Sequence, residues 1–247
     1  MINAFFSATT AAARYQDGLD VVANNIANSS TTGYKAIEAS FADLKYTSLP
    51  ATDGRAQIGS GVRMSGTMPV LTQGAMEQTD RTLDVAIQGD GYFCVKSGDE
   101  TYYTRAGDFQ IASESGKYCL VTSNGDYVLD ASMKQITFDE LPSELVLTGP
   151  SQGTAQEEDT VQLAVVTFPN PYALKNIGGG LFEAGDLTGK GEINVESAVR
   201  QGCLERSSVD IINEMTKMME AQKGFQFSSK VIQTADELEN LANSLRG

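Results

Sequence analysis

The chain has 247 residues, of which 41% are hydrophobic and 20% charged, a composition typical of folded proteins and not of disordered ones. Its formal net charge of −14 repels phosphate backbones, so nucleic acid is not an expected partner, and no Lys/Arg run would hold an anionic membrane. The chain has no histidine and therefore lacks the usual general base and the commonest metal ligand.

The first predicted element is a helix over residues 3–28, with Asn3 as its N-cap. Apolar side chains alternate three and four residues apart, which places them on one narrow seam, as in a coiled coil. The seam consists of Phe5, Ala8, Ala12, Tyr15, Leu19, Val22 and Ile26. The Ser and Thr residues at 29–32 favour the end of the helix, and Gly33 is expected to turn the chain with a positive φ.

Three asparagines, Asn24, Asn25 and Asn28, stand at the end of this helix. One interpretation is that they cap the helix and face solvent. The other is that their amides bond to neighbouring subunits and fix the register, as a buried Asn does in a coiled coil. In the second case, Asn25→Leu would leave the β region folded and disturb the polymer.

The pattern is mixed from 34 to 82, where Phe41, Leu44 and Tyr46 indicate a short helical or extended piece. Residues 50–66 are predicted to be an exposed loop and 68–79 an extended segment. No stretch of the sequence reaches the ~18–20 apolar residues of a membrane-spanning helix.

The clearest β pattern lies in residues 83–168, where short alternating runs are separated by turns and Asn124-Gly125 is a hairpin signal. Strands are predicted at 83–87, 92–95, 101–104, 109–111, 118–122, 127–129, 161–168 and 192–199. The Gly-rich residues 178–191 are predicted to be a loop. Short strands at this spacing indicate an antiparallel barrel or sandwich.

The last predicted element is a helix that begins near Ser207-Ser208, with Asp210 in its first turn. Its apolar seam is formed by Val231, Ala235, Leu238, Ala242 and Leu245, preceded by Met215, Met218, Gln222 and Phe225. The register of the seam slips near Gly224. Since a lone helix of this length is marginal in water, we expect both terminal segments to be loose in the free subunit and helical after assembly.

The fold class is therefore α+β, with discontinuous terminal helices in a coiled-coil-like domain and a central antiparallel β-rich domain that is barrel-like or sandwich-like. The helical assembly domain is expected to comprise 1–34 and 205–247, the connecting region 35–82 and 169–204, and the β domain 83–168. The simplest partners for the two apolar seams are other copies of the same chain.

Evidence for a catalytic, cofactor or metal site is weak, and none is predicted. Asp186–Gly191 has the look of a calcium loop but lacks its ligands at the third and fifth positions, and Gly185–Lys190 is too short for a phosphate-binding loop. The cluster Met215, Met218 and Met219 indicates adaptable packing. Cys94 and Cys119 are interpreted as small buried hydrophobes, with a cross-strand disulfide as the alternative.

Three groups of residues resemble the signatures of bacterial flagellar rod and hook proteins, in the right order and over nearly the whole chain. They are 19–28 with 31–35, 83–93 with 103–107, and 201–210 with Glu214-Met215. The length, with residues 41–46 and 58–62, is most similar to the distal rod protein, and the proximal rod protein is close behind.

The resemblance implies a structural protein and not an enzyme. Such subunits are exported unfolded by the flagellar export apparatus without a cleaved signal and stack helically into a hollow rod that transmits torque from motor to hook. The basal body outside the cytoplasmic membrane is the expected location. Other rod and hook proteins, and ring proteins around the rod, are the further expected partners. The residues predicted to carry self-assembly are Phe5, Leu19, Val22, Asn24, Asn25, Ile26, Asn28, Gly33, Leu204, Val209, Met215, Phe225, Leu238 and Leu245.

One alternative function remains at this stage. A secreted β-rich adhesin or cell-wall-binding protein would use the terminal helices only to form a closed oligomer.

Overall fold

The structure is a computed structural model that describes residues 2–48, 57–114, 116–140, 145–150, 160–194 and 196–245. The first helix is α1 (Ile2–Ala27) and the last is α2 (Ile211–Ser244). The strands between them are β1 (Ile37–Asp43), β2 (Thr47–Ser48), β3 (Gln57–Ile58), β4 (Val62–Pro69), β5 (Met76–Gln78), β6 (Val85–Gln88), β7 (Tyr92–Ser97), β8 (Glu100–Thr104), β9 (Gln110–Glu114), β10 (Lys117–Val121), β11 (Tyr127–Val128), β12 (Thr137–Phe138), β13 (Val146–Thr148), β14 (Thr160–Gln162), β15 (Val165–Thr167), β16 (Lys175–Gly178), β17 (Leu181–Glu183), β18 (Glu192–Ile193), β19 (Ala198–Gln201) and β20 (Cys203–Glu205).

Contacts group the chain into two units. The helical unit consists of residues 1–29, 36–70 and 209–247, and the β unit of 30–35 and 71–208. Residues 36–70, which the sequence assigned to a connecting region, are thus grouped with the two helices.

The helical unit contains α1, α2 and a β-hairpin. Strand β1 pairs antiparallel with β4, with a register shift after Ser40, and α1 contacts both strands. The prediction of a loop over 50–66 is wrong for residues 57–58, which form β3, and for residues 62–66, which belong to β4, while 49–56 lie outside the described residues. Phe41 lies in β1, so the extended alternative holds at this residue.

Both helix starts differ from the prediction. Helix α1 begins at Ile2, so Asn3 lies inside the first turn and not at the N-cap. Helix α2 begins at Ile211, because the Asp210 carboxylate accepts hydrogen bonds from the N–H groups of Ile212 and Asn213 and so caps it. The predicted start near Ser207-Ser208 is therefore wrong by three residues.

The β unit is built on a ten-stranded sheet whose main path runs β12-β10-β11-β7-β8-β17-β16, with β15, β18 and β9 paired beside it. Its central strand β7 is buried on both faces: Phe93 and Val95 enter one apolar cluster, and Tyr92 and Cys94 enter the other. The α+β class is confirmed. Within the described residues the sheet stays open, without a closed barrel.

Most strands of the β unit coincide with the predicted runs, but the Gly-rich loop prediction is wrong in part. Residues 181–183 form β17, whose Phe182 is buried and which pairs with β16 across a turn of glycines. Cys94 and Cys119 are free thiols on β7 and β10, and β11 lies between these strands. The cross-strand disulfide is therefore absent.

Candidate assembly interface

Helices α1 and α2 run antiparallel within the helical unit. Asn25 lies beside Glu214, with 3.0 Å between Asn25 Nδ2 and Glu214 Oε2. Ten residues back along α1 and ten forward along α2, the ring of Tyr15 lies over Gly224. If the two helices stay side by side with this spacing, Ile2 lies level with residue 237. The last two turns of α2 then extend beyond the start of α1.

Small side chains form the face of α2 that packs on α1. A Cβ on Gly224 would lie within 2.4 Å of Tyr15 Cζ, so only glycine leaves room for the ring. Ala221, Ser228 and Ala235 share this side of the helix by their spacing, and all are buried or half-buried. The break in the apolar pattern near Gly224 therefore marks a close helix contact, and the helix is continuous through it.

Asn25 is fully buried and joins three elements of its own subunit. Its Nδ2 donates to the Ile37 carbonyl (2.8 Å) and to Glu214 Oε2, and its Oδ1 accepts from the Ile37 N–H (2.9 Å). Within its own subunit the Asn25 amide therefore ties α1 to β1 and α2, and a role of Asn25 in assembly stays a prediction. Asn24 is exposed and Asn28 half-buried, and Asn28 Nδ2 donates to the Asn24 carbonyl (2.9 Å), as the capping interpretation expects.

A stripe of large apolar side chains is exposed on α2. Their spacing of three, four or seven residues places them on one side of the helix, away from the small-residue face. We call them the α2 stripe: Phe227 (68% exposed), Val231 (43%), Leu238 (52%), Leu241 (59%) and Leu245 (88%). Sequence analysis missed Phe227 and Leu241, although both stand three or four residues from predicted members.

The other predicted assembly residues are divided between surface and interior. Their role in assembly stays a prediction. Exposed ones are Met215 and Phe225; half-buried ones are Phe5, Leu19, Ile26, Leu204 and Val209; buried ones are Val22 and Gly33.

A groove of about 470 Å³ lies between α1, α2 and β1. Gly18, Val22 and Phe41 contribute apolar lining, and Lys217 stands among its charged residues. The Lys217 ammonium donates to Glu214 Oε1 (2.8 Å), and chiefly for this reason the pKa of Lys217 is raised. The cation is therefore already neutralised by its own subunit.

The β unit contains a buried ion network that sequence analysis did not detect. Lys35 Nζ lies 2.6 Å from Glu205 Oε1, and Arg105 Nη1 lies 3.2 Å from Glu205 Oε2. The side chains are 1%, 5% and 1% exposed for Lys35, Arg105 and Glu205. Lys35 also donates to the Thr72 carbonyl, and the Gly74 N–H donates to Glu205. Burial lowers the pKa of Lys35, against the opposing pull of Glu205.

The network explains three of the signature segments physically. Lys35 comes from the first, Arg105 from the second and Glu205 from the third. Gly33 supports the same junction with the predicted positive φ (66°), and a Cβ there would lie 2.5 Å from the Arg105 carbonyl carbon. These motifs hold distant chain segments together.

Metal-binding groups and membrane-spanning helices are both absent from the part of the chain that the structure describes. It holds no group of three or more Cys, Asp or Glu side chains placed to bind a metal ion. None of its helices combines the length and apolar character that a membrane span requires.

A compact β unit joined to helices that leave a large apolar stripe exposed defines an assembly subunit. Three family models match the chain in order. They are the flagella basal body rod protein model at residues 6–35, the flagellar hook protein FlgE/F/G D1 domain at 86–162, and the flagellar basal body rod FlgEFG protein C-terminal model at 200–245.

Full-length relatives agree with these models. The flagellar basal-body rod protein FlgG of Bacillus subtilis is 35% identical over 267 residues, which cover all of both chains. FlgG of Borreliella burgdorferi is 34% identical over 269 residues, or 100% of this chain and 99% of the relative. The flagellar hook-basal body complex protein FlhP of Bacillus subtilis is 30% identical over all of both chains. This chain belongs to the flagellar basal-body rod protein family, a family of structural proteins, and the adhesin alternative finds no support.

Proposed function

We propose that the chain is a subunit of the flagellar rod that polymerises with other copies of itself through the exposed apolar surface of its helical unit. The α2 stripe carries this proposal, because five large apolar side chains on one side of one helix are costly to leave in water. Full-length similarity to FlgG proteins favours the distal part of the rod as the position of this subunit.

An open helical polymer needs a contact whose two faces differ, since a self-complementary contact closes into a dimer. The helical unit offers two different apolar surfaces: the α2 stripe, and the groove between α1, α2 and β1. Rods that transmit torque also need rigid subunits, and the β unit supplies rigidity through its two apolar clusters.

Export and location follow from the same proposal. The helices have few buried apolar contacts of their own, so they unfold readily for passage through the flagellar export apparatus without signal cleavage. The subunit then occupies the basal body outside the cytoplasmic membrane, where it contacts other rod and hook proteins and the rings around the rod. It has no enzymatic role.

Complementation tests this function. The full chain is produced in a flagellated bacterium that lacks its own distal rod gene, and swimming and the composition of isolated basal bodies are measured. We expect swimming and incorporation. The Leu238→Ser/Leu241→Ser variant is expected to lose both, because two members of the α2 stripe become polar.

Leu187→Ser is the matched control, because Leu187 is 82% exposed in the β unit and outside the proposed contact. It should swim normally. Basal bodies that never contain the unmodified chain would contradict the proposal.

A further inference from the structure

Charged residues follow one edge of the α2 stripe. Lys223, Lys230 and Glu237 are spaced by seven residues, which places them almost on one line along the helix. All three are exposed, and none forms an ion pair with another described residue of its subunit. The part of this line from Lys230 to Glu237, one cation followed by one anion, is complementary to a reversed copy of itself.

We propose that free copies of the chain pair through an antiparallel contact between their α2 stripes, with Lys230 of each copy beside Glu237 of the other. The partner is a second copy of this chain. This contact goes beyond the rod function, because it covers the stripe before a subunit is incorporated.

The heptad pattern selects one register for this pair. With the two-fold axis level with residues 232 and 233, Phe227 packs on the partner's Leu238 and Val231 on the partner's Thr234, and the flanking Lys230–Glu237 pair forms twice. A shift of seven residues in one direction forms two Lys223–Glu237 pairs but brings the two copies of Lys230 together, and a shift in the other direction brings the two copies of Glu237 together. A parallel pair in register places Lys230 and Glu237 beside Ala235 and Ala242 of the partner and forms neither ion pair.

The size of the stripe predicts a weak dimer. Five partly exposed side chains offer on the order of 300 Å² of apolar surface per copy, from the usual area per buried side chain. A stable interface of standard size buries about 800 Å² per partner. The pair is therefore reversible, and it leaves the stripe available to a growing polymer.

Sedimentation of the purified full chain at low salt, from micromolar to near-millimolar concentration, tests the pair. We expect a reversible monomer–dimer equilibrium. Glu237→Lys is expected to weaken dimerisation roughly tenfold, because two ion pairs become two repulsions. Lys230→Glu should do the same, and the double variant Lys230→Glu/Glu237→Lys should restore the original affinity.

Asp236→Lys is the matched control, since it makes the same charge change at the next exposed residue but lies off the line. It should leave the dimer intact. A chain that stays monomeric, larger species without a dimer, or equal weakening by Asp236→Lys would each overturn the proposal. So would a dimer that Glu237→Lys does not affect. These results come from free protein, so they are distinct from failure of the rod function, which basal bodies report.

Discussion

The two units differ in how far they bury their apolar side chains. In the β unit, Phe93 and Phe109 are both 0% exposed, with ring centroids 5.3 Å apart, and they belong to a cluster of buried residues from many strands. In the helical unit, α2 has 34 residues, yet its buried ones are Glu214 and Ser228. The β unit buries its large apolar side chains in its own core, whereas α2 leaves most of its large apolar side chains exposed.

The two units also differ in the polar groups that they bury. The β unit joins its chain segments with a charged network around Glu205, which is expensive to bury and tolerates no missing partner. The helical unit uses the neutral Asn25 amide together with the single buried carboxylate of Glu214. Buried polar groups thus fix geometry within the subunit, and the exposed apolar groups are the ones that we propose for contacts between subunits.

The largest expected effect is a difference in stability between substitutions of two phenylalanines, one in each unit. Phe93→Ala should lower the free energy of unfolding of the β unit by about 3–5 kcal/mol, because it leaves a cavity in a filled core. Phe227→Ala, its control in the helical unit, should change the unfolding of the free subunit by less than about 0.5 kcal/mol. Denaturant titration followed by near-UV circular dichroism measures both. Similar losses in the two variants would contradict the comparison.

The second effect concerns the buried charges. Glu205→Ala leaves Lys35 and Arg105 buried without their anion and should cost about 3–5 kcal/mol of unfolding free energy. Glu183→Ala is the control, because its ion pair with Lys175 is exposed and should be worth about 0–1 kcal/mol. Thermal unfolding compares the two, and an equally stable Glu205→Ala protein would rule out a structural role for the network.

A third effect should be confined to the helical unit. Asn25→Leu removes the partners of the Ile37 N–H and carbonyl, at a cost of about 2–3 kcal/mol. Hydrogen exchange should therefore speed up in α1 and β1 while the β unit is unchanged. Asn24→Leu, one residue away and exposed, serves as control. Unchanged exchange in α1 would return Asn25 to the role of a contact between subunits.

The smallest expected effect concerns the reactivity of the cysteine thiols. Burial raises the pKa of the Cys94 thiol to about 12, so alkylation at pH 8 should spare it in the folded chain and modify the half-buried Cys203 first. Because the unfolded thiol ionises near pH 9, stability is unaffected below that pH and falls as the pH rises towards 12. Mass spectrometry of the modified peptides gives the order, and rapid labelling of Cys94 would contradict its burial.

Local signals in the sequence predicted much of this fold. The three–four alternation predicted α1 and α2, the period-two runs predicted most strands, and Gly33 takes its expected positive φ. Errors arose where one side chain decides the outcome. Because Asp210 is the N-cap, α2 begins three residues later than predicted. The short strand β17 was not predicted because glycines precede it.

The contacts between buried polar side chains could not be predicted from the sequence, for a different reason. Lys35 and Glu205 are 170 residues apart, and Asn25 and Glu214 are 189 apart. No local period links such pairs, because their proximity results from the whole topology. The seam of α2 was predicted as one surface, whereas the small residues face α1 and the large ones face solvent.

Electron microscopy of the concentrated, purified chain tests the central claim most directly. If the helical unit leaves its apolar surface for sister copies, hollow helical fibres should form, and the Leu238→Ser/Leu241→Ser variant should form none under the same conditions. Separate particles of the unmodified chain at every concentration, or fibres that persist in that variant, would contradict the account.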